Sequence, residues 1–175
     1  VDLVQLPYAA GAALATYVLA RLFEARRRDA LWAALLLLSV PIVLNQMKTT
    51  LVDVTLTFLF SAGMAFLLRA PLDATRIALG AIAWGVAPGV KLPAPTFVLF
   101  GALAVSLRQL EGRSLAQALR ALVPAGAAVA LATALFSGFW FVRNALQVGS
   151  PLYPLNLSPE APTAWTNIVY YGLLF

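Results

Sequence analysis

Residues 45–69 read NQMKTTLVDVTLTFLFSAGMAFLLR. A polar patch holding Lys48 leads into a mainly apolar run from Leu51 to Leu68, interrupted early by Asp53 and closed by Arg69. A run of this length, at 1.5 Å per helical residue, reaches most of the way across a hydrocarbon core of about 30 Å. The stretch therefore predicts a membrane-spanning helix with a cation at each end. Asp53 is a carboxylate placed where burial is costly.

Similar runs lie on both sides. The expected spans are Leu6 to Phe23, Ala30 to Leu44, Leu51 to Leu68, Ala74 to Ala87, Thr96 to Leu107 and Ala121 to Val142. The fourth and fifth are short, and Pro88-Gly89 between them predicts a broken or half-spanning pair beside a polar vestibule. The expected fold is all-α: a polytopic transmembrane helix bundle of about six spans, one domain over residues 1–175. Arg108 to Arg120 reads as a loop with a weakly amphipathic surface helix. The sixth span, rich in Ala125, Gly126, Ala127, Ala128, Ala130, Ala132 and Ala134, reads as an interior helix.

Threading the chain through these spans sorts its charges. Arg21, Arg26, Arg27, Arg28, Arg69, Arg76, Arg108, Arg113 and Arg120 fall in loops near 24–30, 69–76 and 108–120. Lys48, Lys91 and Arg143 fall in segments near 45–53, 88–95 and 143–167 on the other face. Arginine-rich loops stay cytoplasmic, so the three isolated cations are expected outside. The expected location is a membrane, with the site facing the extracytoplasmic side.

Composition agrees. The chain is 62% hydrophobic and 11% charged, with a mean hydropathy of +0.87, against about 25% charged residues in a soluble domain. The net charge of +5 sits in short loops between apolar runs, which reads as topology and contact with membrane lipids rather than nucleic-acid binding. There is no cysteine and no histidine. Disulfides, thiolate or imidazole metal sites and Ser-His or Cys-His catalysis are thus absent from this stretch. The chain opens at Val1 without a methionine or a basic leader and closes at Phe175 in an apolar run. The expectation is an internal piece of a longer membrane protein.

The candidate binding residues are Lys48, Asp53, Lys91, Arg143, Asn144 and Tyr153. Each has a plainer alternative. Asp53 is either a functional carboxylate or a first-turn helix charge favoured by the dipole, with Thr49 or Thr50 as cap. Lys48 lies five residues earlier, within reach of an ion pair or free to snorkel. Lys91 after the expected break reads as a recessed phosphate ligand or an interface anchor. Arg143 follows Phe139-Trp140-Phe141, so it either holds a phosphate bidentately beside Asn144 or reaches headgroups from an aromatic belt. Gly85 and Gly89 fit a small-residue packing motif, but Pro88 favours the break.

Three stretches together resemble the GT-C superfamily, in particular bacterial relatives of the dolichyl-phosphate-mannose–protein mannosyltransferases and lipid A aminoarabinose transferases. They are Pro41 to Asp53, with Gln46, Thr49 and Asp53; Gly85 to Lys91; and Trp140-Phe141-Val142-Arg143-Asn144 followed by Gly149-Ser150-Pro151-Leu152-Tyr153-Pro154. Ser150 stands where that family often has asparagine. The resemblance implies a membrane glycosyltransferase moving a sugar from a polyprenyl-phosphate donor to an acceptor on the extracytoplasmic side. It implies a general base upstream of Val1, with Lys91 and Arg143 on the donor phosphate and Lys48 and Asp53 shaping the pocket. No cofactor other than the donor lipid is indicated, and metal dependence is left open. The rival readings are a transporter or flippase for a phosphate-bearing lipid or solute, and a non-catalytic membrane scaffold.

Overall fold

The computed structural model describes residues 3–47 and 52–152. Among these residues all regular structure is helical. A 3-10 turn, Leu3–Gln5, leads into α1 (Leu6–Leu22), followed by α2 (Arg27–Ser39), α3 (Pro41–Gln46), α4 (Asp53–Leu67), α5 (Ala74–Val90), α6 (Ala94–Leu110), α7 (Leu115–Phe136) and α8 (Gly138–Val148). Helices α1 to α7 belong to one compact unit ending at Ser137, and α8 begins a second.

Local chemistry sets the boundaries. Pro7 sits in the first turn of α1, where the missing N–H costs nothing. Glu24 takes a left-handed conformation (φ 63°), and the Ala25 N–H donates to the Ala20 carbonyl, closing the helix end. The second expected span divides at Val40, which is extended (ψ 125°) before Pro41, as the residue before a proline prefers. Asp73 caps α5 by accepting from the Arg76 N–H at 2.9 Å. Ser114 and Gln117 cap α7 reciprocally, the Ser114 N–H donating to Gln117 Oε1 at 3.1 Å and the Gln117 N–H to Ser114 Oγ at 3.4 Å.

That capping box makes the expected surface helix the first turns of α7 itself. The 22 residues of α7 cover roughly 33 Å, enough to cross a bilayer. Helices α1, α5 and α6 have 17 residues each and α4 has 15, making shorter apolar helices. The assembly is a helical membrane bundle.

Helices α2, α1, α4, α5 and α7 pack in that order, with α6 against α4, α5 and α7. Paired positions give the directions. Tyr8 meets Phe58, Gly80 faces Leu67, Trp84 faces Gly63 and Phe60, and Gly101 faces Trp84. Thus α1, α4 and α6 run one way while α5 and α7 run the other. Gln5, Gln46, Asp53, Lys91 and Ser137 gather at one end, and Arg21, Arg69, Arg76, Arg108 and Arg113 at the opposite end.

The centre is Trp84. Its indole N–H donates to the Phe60 carbonyl at 3.1 Å, and the ring lies over the bare backbone of Gly63 and Gly101. Leu67, Leu68, Val105 and Ala125 complete the cluster. A half-open apolar pocket of about 210 Å³ lies beside Trp84, between Leu67, Ala102, Val105, Ala125 and Val129.

Two expectations are corrected. The fourth helix does not break at Pro88-Gly89; it continues to Val90, and the turn falls at 91–93. Pro88 removes the N–H that would meet the Trp84 carbonyl, and on the next carbonyl, that of Gly85, a donor comes from Ser137 on the neighbouring chain segment. Its Oγ donates to the Gly85 carbonyl at 2.6 Å. Close helix packing therefore stands where the break was expected. The sixth span starts at Leu115 and ends at Phe136 rather than running from Ala121 to Val142, and only a narrow strip of it is interior. Ala125 and Ala132 are buried, whereas Gly126, Ala127, Ala130 and Ala134 are exposed.

Ser137→Ala is expected to lower the stability of the detergent-solubilised protein by about 0.5–2 kcal/mol. It leaves the Gly85 carbonyl without this donor, and thermal unfolding followed by circular dichroism measures the loss.

Candidate functional site

Asp53 is the first residue of α4, following Val52, which offers no side-chain cap. A carboxylate in a first turn is favoured by the helix dipole, so the plainer reading of Asp53 is met in part. Thr49 and Thr50, the expected caps, lie outside the described residues.

The carboxylate does more than sit at a helix end. One oxygen accepts from Gln46 Nε2 at 3.0 Å, and the other forms an ion pair with Lys91 Nζ. Gln46 closes α3 and Lys91 follows the last turn of α5, with an extended backbone (φ −153°, ψ 140°). The antiparallel course of α4 and α5 brings Asp53 and Lys91 together across 38 positions of sequence. An anion at a helix N-terminus thereby meets a cation at a helix C-terminus, each at its favourable pole.

The pair is partly sheltered, with the Lys91 side chain 20% and the Asp53 side chain 34% exposed. Below it, Thr55 Oγ1 donates to Gln5 Oε1 at 2.8 Å, and Gln5 is buried. Sequence reasoning passed over Gln5; the signal was an amide just ahead of an apolar span. Thr57 Oγ1 donates back to the Asp53 carbonyl at 2.8 Å, bracing the first turn.

Of the sequence-predicted residues, the structure brings Asp53 and Lys91 together. Lys48 and Tyr153 lie outside the described residues. Arg143 and Asn144 belong to α8, in the second unit. The Arg143 guanidinium lies over the Trp140 ring, 5.4 Å from its centroid, a cation–π arrangement one turn apart. Among the described residues no three metal-donor side chains come together.

The opposite end has a different chemistry. Arg76 pairs with Asp73 at 3.1 Å, Arg108 pairs with Glu111, and Arg113 Nη1 donates to the buried Gln109 at 2.7 Å. These are neighbours in sequence, three or four residues apart, and local pairing accounts for them.

The bundle thus carries a partly sheltered Lys–Asp–Gln cluster at one end. Residues 5–143 match the family described as dolichyl-phosphate-mannose-protein mannosyltransferase. No curated protein and no solved structure matches the chain. The family match takes in Gln5, Gln46, Asp53 and Lys91 and ends on Arg143. The chain therefore belongs to the dolichyl-phosphate-mannose-protein mannosyltransferase family, membrane glycosyltransferases that draw a sugar from a polyprenyl-phosphate donor.

Proposed function

We propose that the chain forms part of an enzyme of the bacterial plasma membrane that transfers a sugar from a polyprenyl-phosphate donor to an acceptor on the extracytoplasmic side. The Asp53–Lys91 end of the bundle would receive the donor's phosphate. The observation that carries this reading is the meeting of Lys91, Asp53 and Gln46 at the end remote from the arginine-bearing loops. Positive loops remain on the cytoplasmic face, which turns the Lys91 end outward.

In this reading the acceptor hydroxyl attacks the anomeric carbon while the bond to the phosphate oxygen breaks. Negative charge grows on the departing lipid phosphate. An ammonium fixed beside that oxygen stabilises the charge without reorganising at the moment of reaction. An ammonium has three N–H donors, so Lys91 can hold Asp53 and a phosphate oxygen together. Asp53 acts as a positioning residue, holding the ammonium in place. By the family resemblance Lys48, Arg143, Asn144 and Tyr153 would be further ligands of the donor, and the proton from the acceptor passes to a base elsewhere in the full chain.

Two arms of one experiment test this with the full-length protein. Because residues 1–175 contain no cysteine, Leu92→Cys and Gly112→Cys report the two ends separately. A membrane-impermeant maleimide should label position 92 in intact cells and position 112 only after permeabilisation; the reverse pattern overturns the orientation. Reconstituted enzyme should then release the sugar from a polyprenyl-phosphate donor. Movement of intact donor across the vesicle, with no transfer, would make the protein a flippase instead.

A further inference from the structure

We infer that α8 is an interfacial helix that lies on the outer lipid surface, burying one apolar face among acyl chains and holding Arg143 at the depth of the lipid phosphates. Its 11 residues cover roughly 16 Å, half of what crossing a bilayer takes.

The sequence of α8 separates cleanly around its axis. At about 100° per residue, Trp140, Arg143, Asn144 and Gln147 fall within about 100° of one another. Phe139, Phe141, Val142, Ala145, Leu146 and Val148 take the remaining circumference. Phe139, Val142 and Leu146 are 67%, 58% and 82% exposed, a large apolar surface for so short a helix.

Chain connectivity says what covers that surface. Helix α7 is long and apolar enough to cross the membrane and ends at Phe136, with Ser137 alone between it and Gly138. A chain that leaves a span at Phe136 is at the bilayer interface when α8 begins. There an amphipathic helix with aromatic anchors buries its apolar face a few ångströms below the headgroups. The single charge suits the same depth. Trp140 stacks under the Arg143 guanidinium and prefers the headgroup level, and Arg143 can bridge phosphate oxygens in the same plane.

The inference is independent of which sugar or acceptor the enzyme uses, and its test needs no turnover. Single cysteines replace Phe139, Val142, Asn144, Leu146 and Gln147 in the full-length protein in liposomes of phosphatidylglycerol and phosphatidylethanolamine. Each carries a nitroxide, and collisions with oxygen and with a water-soluble nickel chelate are measured. Oxygen should dominate at 139, 142 and 146 and nickel at 144 and 147, an alternation at the helical period. Equal nickel access at all five positions would overturn the inference, as would apolar-face labels shielded from both reagents, which would mean the face is covered by protein.

Discussion

Gly85→Leu is expected to prevent stable folding of the bundle. A Cβ at position 85 would fall 2.6 Å from the carbonyl carbon of Ala132 and 2.8 Å from the amide nitrogen of Thr133. These are backbone atoms of a neighbouring helix, so no rotamer change relieves the overlap. Helices α5 and α7 would have to part along the seam where they pack most extensively. Parting them also lengthens the Ser137 to Gly85 hydrogen bond and pulls Ser137 away from Gly89, whose added Cβ would lie 2.9 Å from its Oγ. Overpacking a tight contact costs about 1–3 kcal/mol for small insertions, and a leucine here adds the loss of the seam itself. Gly85→Ala should lose about 1–3 kcal/mol, and Gly85→Leu should give little monodisperse protein in detergent. Gly126→Ala serves as the control, since nothing lies within 4 Å of its added methyl; it should be neutral or slightly stabilising, as alanine favours helix over glycine. Fluorescence-detected size exclusion and thermal unfolding read all three. A Gly85→Leu protein as stable as the parent would show that the α5–α7 seam does not hold the bundle.

The same seam shows where sequence reasoning stops. Pro41 and Pro88 look alike in the sequence, each inside an apolar run, yet one divides a helix and the other does not. Val40 can turn extended because α3 simply restarts after it, with Pro41 in the first turn. Pro88 stays inside α5, in a turn whose Gly85 carbonyl accepts from Ser137, 52 residues further on. That partner is a tertiary fact, and no local pattern announces it. The Gly85–Gly89 motif marks close packing rather than a break: Gly85 admits α7 and Gly89 admits Ser137 just after it. The cap that starts α7 is legible too, as Ser114 three residues before Gln117, although the polar residues around it have the pattern of a separate surface helix. At the other end of α7, the aromatic run from Phe139 looked like a continuation and belongs to α8.

The site divides in the same way. Counting spans places Asp53 and Lys91 at one end, since each ends a helix that an apolar run defines. It does not say that they touch. Whether Asp53 meets Lys48, five residues away, or Lys91, 38 residues away, depends on how α4 and α5 lie against each other. That in turn depends on glycines at 63 and 80 accepting Trp84 and Leu67. Gln46 likewise reaches Asp53 only because α3 ends beside the start of α4.

Asp53→Ala combined with Lys91→Met is expected to restore stability that each single change removes, while leaving donor turnover lost. Asp53→Ala alone takes the carboxylate away from an ammonium that is only 20% exposed, and Lys91→Met alone takes the ammonium away from a carboxylate that keeps its bond from Gln46. A partly sheltered pair of this kind lies between exposed pairs, worth under about 1 kcal/mol, and buried ones, where losing a partner costs about 3–5 kcal/mol. Each single variant should therefore lose about 1–3 kcal/mol, and the double variant should recover most of it as a coupling energy. Turnover should not follow. If Lys91 stabilises the charge growing on the lipid phosphate, both variants lacking it should fall in kcat by roughly 10²–10³, the scale seen when one such donor is removed. Asp53→Ala, which keeps the ammonium but loosens it, should fall less, and Asp53→Glu should recover part of the rate. Thermal unfolding and initial rates on the full-length enzyme separate the two effects. Recovery of turnover in the double variant would reduce the pair to a clasp between α4 and α5 and leave the phosphate to be bound elsewhere.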